Sequence, residues 1–338
     1  MGSAVTPSDL DLEVCKGELL LRPKPKPWIE TKTVIALVPL QRMFGIKSIE
    51  GWNCTTQIFV NYLRYSVENE LHSAREAEQF ISWFLNLGVK DYLIRLESED
   101  FHGHYIDSDP TPDDAAILLY FHGGGYSLCT IETYLSGLLD IRKAFKTTFK
   151  RDLCIFGLDY TLSPEVKYPA QIDEAVAAYT YMRERYPNYP LIVMGDSAGG
   201  NLVLALLLKL KQSKIQQPDG AIVISPWVKM VSELEQAHRA RDSDRDFVSS
   251  SQLVHHTHRY LSEPVTADSV KNPLVSPIFG DFSDTCPIFV HYGAYEWMVP
   301  EIEELIANLR AQNVDLNVVK ERHAPHITPL GAQIFESR

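Results

Sequence analysis

Between about residues 91 and 320 the chain alternates short apolar runs with longer stretches of helical periodicity. The runs fall at 116–121 (AILLYF), 153–158 (LCIFGL), 191–194 (LIVM), 221–224 (AIVI), 288–292 (IFVHY) and 314–319 (VDLNVV). Several are apolar on both faces, which predicts strands sandwiched between helix layers, and the repeated alternation predicts an α/β class with a mostly parallel sheet. Residues 91–96 and 101–106 predict an earlier antiparallel pair at the sheet edge. Two regions break the alternation. Residues 1–85 carry helical patterns at 55–71 and 74–87, and a polar stretch at about 229–270 contains RARDSDRD (239–246) and a helical run at 250–261. Both are expected to lie over the top of a core that spans 86–338. No internal repeat or low-complexity tract interrupts this organisation.

Composition narrows the function classes. The 338 residues are 45% hydrophobic and 10% aromatic, enough for a large core, and the net charge of −12 sets up a field that repels phosphate backbones and anionic lipid. A nucleic-acid partner is therefore not expected. The five cysteines (Cys15, Cys54, Cys129, Cys154, Cys286) are scattered, odd in number and form no C-x-x-C pair, so reduced thiols and no zinc site are expected. The first residues are polar and acidic rather than a basic start followed by an apolar run, and the apolar stretch at 33–46 is too short to cross a bilayer. A cytoplasmic location with no membrane span is the expectation.

Two strings carry the chemistry. In LIVMGDSAGGN an apolar strand runs into Gly195-Asp196-Ser197-Ala198-Gly199 and then into a helical pattern, the strand–turn–helix context that G-x-S-x-G requires to present a serine hydroxyl above a sheet. The flanking glycines let neighbouring backbone pass close to a tight turn. In HGGGY, His122 to Tyr126, successive glycines after a strand free backbone N–H groups to converge on one oxygen. A phosphate loop would instead need a following Lys-Ser/Thr, which is missing.

With these motifs the chain resembles the hormone-sensitive-lipase-like branch of the α/β-hydrolases, which includes many bacterial and fungal carboxylesterases. The likeness runs from about 116 to 326 through HGGGY, DYTLSPE, YPAQIDEA, GDSAGGN, SPW, NPLVSP and a late histidine. The resemblance implies an α/β-hydrolase fold with a helical cap made by the N-terminal segment and the insertion. It implies Ser197 as nucleophile, Glu296 as the acid after a strand-ending glycine, and His326 in ERHAPHITPL as the base. Oxyanion donors fall on Gly124, Gly125 and the amide of Ala198, with His122 an anchor that does not titrate in catalysis. His323 is the competitor to His326, and Glu301, Glu303 and Glu304 read as solvated helix acids. Tyr126 and Trp227 are expected at the pocket wall. His255, His256 and His258 read as part of a helical cap segment rather than metal ligands. Thr161 and Lys229 stand where the family often has Arg and Asp.

The activity so implied is hydrolysis of a small-to-medium ester through an acyl-enzyme, with no cofactor or metal. A thioesterase or acyltransferase acting on a polyketide-type intermediate makes nearly the same demands on such a site. Plant gibberellin receptors share the fold but lack the catalytic histidine, whereas His326 is present here. Plant flavonoid dehydratases carry threonine at the nucleophile, whereas this chain has Ser197.

Overall fold

A computed structural model of the chain describes residues 10–15, 18–23, 49–67, 92–107, 115–230 and 245–331, with isolated positions between 39 and 82. Its centre is an eight-stranded sheet. The strands are β3 (Leu93–Glu97), β4 (His102–Ile106), β5 (Ala115–Phe121), β6 (Asp152–Leu158), β7 (Leu191–Asp196), β8 (Gly220–Ile224), β9 (Ile288–Gly293) and β10 (Leu316–Glu321). They lie in the order β10-β9-β8-β7-β5-β6-β4-β3. From β10 to β6 every pairing is parallel, while β3–β4 and β4–β6 are antiparallel. Each of the expected strands is present within two residues of the expected bounds, including the antiparallel edge. This is the α/β-hydrolase fold.

The sheet forms because its central strands bury both faces. All seven residues of β5 are buried. Ile117, Leu119 and Phe121 point into the larger core layer, and Ala116, Leu118 and Tyr120 into the smaller one, as period-2 alternation requires. Five helices are described with the sheet and insertion: α2 (Ile131–Phe149), α3 (Ala170–Arg185), α4 (Ala198–Ser213), α5 (Ser250–Tyr260) and α6 (Ala267–Lys271), followed by α7 (Val299–Ala311). Helix α4 is buried on nearly every side, and burying each large apolar residue there contributes about 1.5–3 kcal/mol. Helix α2 covers the opposite face with Ile131, Tyr134, Leu135 and Leu138.

The N-terminal stretch differs from the helical expectation. It opens with an antiparallel pair, β1 (Leu10–Cys15) and β2 (Glu18–Pro23), and LDLEVC shows the strict alternation that makes a strand. The expected helix at 55–71 is α1 (Cys54–Val67). Of the expected helix at 74–87, residues 74–76, 78, 79 and 82 are helical and the others lie outside the described residues, as do the stretch at 33–46 (bar residue 39) and most of RARDSDRD. Among the described residues no helix is long and apolar enough to cross a membrane, and Cys54, Cys129, Cys154 and Cys286 are free thiols.

A satellite cluster joins the outlying segments to the sheet's carboxyl edge. Trp52 and Val60 pack with Phe247 from the insertion, against Tyr295 beyond β9 and Ile327 beyond β10.

Candidate active site

In a parallel sheet the loops leaving the strand ends share one edge, where ligands of open α/β folds bind. Here Phe121 pairs with Gly195, Asp196 with Ile224, and Ile224 with His291, so the loops after β5, β7, β8 and β9 begin side by side. HGGGY follows β5, Ser197 follows β7, Glu296 follows β9 and His326 follows β10 on this edge.

Ser197 is the hinge between β7 and α4, with φ 51° and ψ −116°. A non-glycine residue held there costs about 1–3 kcal/mol, and strain of this kind clusters at functional sites. The turn is locked by packing: a Cβ on Gly199 would collide with the carbonyl of Phe121, and one on Gly195 with the carbonyl of Gly199. Two backbone bonds, Ser197 N to Ile224 O and Trp227 N to Ser197 O, both 2.9 Å, tie it to the end of β8. Ser197 remains half-exposed.

Asp196 joins this turn to the glycine loop. Its Oδ1 accepts from Gly123 N at 3.0 Å and from Tyr120 Oη at 2.5 Å. Burial raises its pKa to about 6, against the opposing pull of the tyrosine hydroxyls. In the loop itself Gly124 and Gly125 have φ +105° and +60°, which glycine alone adopts freely. Among the described residues their N–H groups donate to nothing. The N–H of Ala198, in the first turn of α4, has no carbonyl one turn earlier to meet. His122 is buried, bonded through Nδ1 to Gly123 O at 2.7 Å and stacked on Tyr160 at 4.2 Å. Burial pushes its pKa down despite the charge of Asp159, so it stays neutral and props the loop.

Glu296 and His326 meet on the other side of the turn. His326 Nδ1 lies 3.0 Å from Glu296 Oε2, with both side chains fully buried. The other carboxylate oxygen accepts from Ser225 Oγ at 2.6 Å and from the Gly293 amide, while Ser225 Oγ accepts from Ile327 N at 3.0 Å. Because Glu296 accepts, Nδ1 carries the proton and Nε2 is left as a base. Nε2 is buried and makes no hydrogen bond among the described residues, so its bond to the Ser197 hydroxyl is not formed in this structure. Uncomplexed sites are often loose in this way. Burial lowers the His326 pKa, yet the hydrogen bond and charge of Glu296, with the charges of Asp246 and Asp196, outweigh it and leave the group raised.

His323 serves elsewhere. Its Nδ1 bonds Tyr295 Oη at 2.5 Å, and its carbonyl accepts from Trp52 Nε1 at 2.7 Å, which anchors the segment before α1. Glu301 corrects an expectation: it is buried rather than solvated, because it shares the sheet-facing stripe of α7 with Ile302, Leu305, Ile306 and Leu309. Tyr126 and Trp227 are both fully buried in the larger core. Tyr126 stacks on Tyr260 at 4.0 Å and donates to Asn201 Oδ1 at 2.7 Å, and Asn201 Nδ2 donates to Trp227 O at 2.6 Å. Of the three clustered histidines, His256 is buried with its ring against Gly125 and its Nδ1 without a hydrogen bond among the described residues, and His258 pairs with Glu263. Thr161, at one departure from the family pattern, donates its N and Oγ1 to Glu174.

Ser225, Asn201 and Asp246 are the members of the site that sequence reasoning did not single out. Ser225 stood in the SPW string and Asn201 directly after GDSAGG, so position was their signal. Asp246 sat in a charge run and had none.

The family described as alpha/beta hydrolase fold matches residues 118–329, which run from within β5 to beyond β10 and include Ser197, Glu296 and His326. The chain belongs to that family. Within it, the likeness is to the hormone-sensitive-lipase branch: an esterase structure from the bacterial hormone-sensitive lipase family superposes with a TM-score of 0.69 at 25% identity, over 84% of this chain and 93% of that one. An acetyl-hydrolase of Streptomyces hygroscopicus is 30% identical over 191 residues, 55% of this chain and 59% of the relative. Steryl acetyl hydrolase 1 of Saccharomyces cerevisiae is 29% identical over 204 residues, 56% of this chain and 46% of the relative. The chain thus spans about half the length of the curated relatives it matches.

Proposed function

We propose that this α/β-hydrolase is a serine carboxylesterase acting on small esters with short acyl groups. The observation that carries the reading is the buried Glu296–His326 pair beside a serine strained out of the ordinary backbone regions. His326 Nε2 takes the Ser197 proton as Oγ adds to the ester carbonyl, and Glu296 holds the imidazole in orientation and balances its positive charge. The oxyanion that develops faces the amides of Gly124, Gly125 and Ala198, whose uncommitted N–H groups suit that task. Collapse expels the alcohol with the proton from His326, and water, activated by the same base, releases the acid. No step calls for a metal or an organic cofactor. The packing of Trp52 and Val60 on Phe247 supports a cap built from the N-terminal segment and the insertion, with Tyr126 and Trp227 backing the pocket wall. The short acyl group rests on the acetyl-hydrolase names of the relatives. A panel of p-nitrophenyl esters of rising chain length, run beside an acyl-thioester, tests it: turnover falling from acetate to decanoate supports the reading, and hydrolysis of the thioester alone overturns it.

Glu296→Gln is expected to lower kcat by ~10²–10⁴-fold and to move the acidic limb of the kcat/KM profile downward. The sign follows from the base: imidazole must be neutral to accept the serine proton, Glu296 raises the His326 pKa, and its removal leaves burial to lower it. Glu304→Gln, on an exposed position of α7, is expected to change neither limb nor plateau. An unmoved limb in Glu296→Gln assigns the acid elsewhere.

A further inference from the structure

Asp246, the last residue of the charge run at 239–246, is fully buried. A carboxylate is costly to bury without donors, and here three backbone amides supply them. Oδ1 accepts from His326 N at 3.2 Å and from Phe247 N at 2.9 Å, and Oδ2 accepts from Trp297 N at 2.7 Å. Two of those amides belong to His326 itself and to the residue after Glu296. Beyond the Glu321–Gly293 pair the loops after β9 and β10 share the backbone bonds Ala294 N to Glu321 O and Tyr295 N to Ala324 O, and this one side chain from the insertion ties them further on, at Trp297 and His326. Phe247, the next residue, sets its ring edge-on to the His326 imidazole at 5.4 Å. The charged groups facing Asp246 are His326 and Glu296, and those facing His326 are Glu296, Asp246 and Asp196.

We propose that Asp246 is a positioning residue of the catalytic centre: by holding the amides of His326 and Trp297 it fixes the distance between base and acid, and it places a second negative charge beside the imidazole. This rests on the esterase reading above, with His326 as the base. It assigns the insertion a role beyond covering the pocket, because a residue in the middle of the insertion becomes part of the machinery that orients the base. Burial raises the Asp246 pKa to about 6, with the charge of Glu296 adding to the rise and that of His326 opposing it, so the group carries its charge above that pH and loses it below. Acidification through that range weakens the support of His326 at the same time as it protonates the base.

The test uses the full chain and two readouts. With p-nitrophenyl acetate, Asp246→Asn is expected to lose ~10–10²-fold in kcat with KM nearly unchanged, and its acidic limb is expected to move to lower pH. In the Ser197→Ala background, which needs no turnover, the His326 imidazole followed by NMR is expected to titrate lower when Asp246 is Asn. Asp246→Ser, which keeps one acceptor and no charge, gives the same comparison where the asparagine NH₂ disturbs the amides. Ser197→Ala itself, with Asp246 in place, is expected to show His326 titrating above the ordinary histidine value of ~6.5, a reading that needs no variant at position 246. A folded Asp246→Asn or Asp246→Ser with wild-type kcat, limb and His326 titration overturns the proposal, as does a His326 that titrates below the ordinary value when Asp246 is intact. Absence of turnover by the wild-type protein, with the NMR shift present, would instead count against the esterase reading and leave the coupling between Asp246 and His326 standing.

Discussion

Ser197→Ala is expected to lose ~10⁵–10⁶-fold in kcat on any ester the native protein cleaves, while its thermal midpoint stays within a few degrees of wild type. The loss is large because the proposed mechanism forms the acyl-enzyme on that hydroxyl, and the adjacent Asp196 is turned away onto Gly123 and Tyr120. The fold survives because alanine keeps the Cβ, so the strain at φ 51° is unchanged, and the turn's bonds to Ile224 and Trp227 are made by backbone atoms. A residual rate of ~10³–10⁴-fold over water is expected from the glycine-loop amides. Stopped assays with p-nitrophenyl acetate and a melting curve check both halves. Near-native turnover with the fold intact would remove Ser197 from the chemistry.

The strands were legible because the pattern that marks them is the one that folds them. A run such as AILLYF is apolar at every position since β5 is covered on both faces, and the same holds for β6 and β7. Legibility fell where burial is one-sided. VDLNVV predicted a strand two residues early, because β10 is the sheet's last strand and its residues alternate between half-buried and exposed. The N-terminal strand pair went unread although LDLEVC alternates cleanly, since the helical patterns at 55–87 coloured the whole stretch. Burial of Glu301 was also in the sequence, as the first member of an i, i+1, i+4, i+5 stripe completed by Ile302, Leu305 and Ile306.

The site was readable to the extent that its residues are forced by backbone geometry. Glycine at 199 is dictated by the carbonyl of Phe121, and glycine at 124 by the carbonyl of Leu128, so the motifs survive as strings. The supporting network is different. Ser225 and Asp246 reach amides on distant loops, 102 residues away at Ile327 in one case and 80 away at His326 in the other. Any short polar side chain at such a position reads as surface until the loops are folded. The polar insertion therefore concealed a buried acid, while the glycine loops announced themselves.

His326→Ala and His323→Ala separate base from anchor. Both histidines lie in the loop after β10, three residues apart, and both bond a side chain from the loop after β9, so sequence distance does not distinguish them. Their partners do. His326 meets a buried carboxylate that favours the protonated ring, which a general base needs in the transition state. His323 meets a tyrosine hydroxyl and, through its carbonyl, Trp52 just before α1, contacts that hold structure. His326→Ala is accordingly expected to lose ~10⁵–10⁶-fold in kcat with little change in KM, matching Ser197→Ala because serine and base act as one unit. Combining the two should cost no more than either alone. His323→Ala is expected to stay within about tenfold in kcat/KM, a loss of ~1.4 kcal/mol in barrier, and to lower the thermal midpoint as Tyr295 Oη loses its bond to the ring, while the backbone bond from Trp52 remains. Initial rates on p-nitrophenyl acetate for both variants and the double mutant decide it. The reverse pattern, a dead His323→Ala beside an active His326→Ala, would mean that the loop re-registers by three residues when the site works and that Glu296 is not the partner of the base.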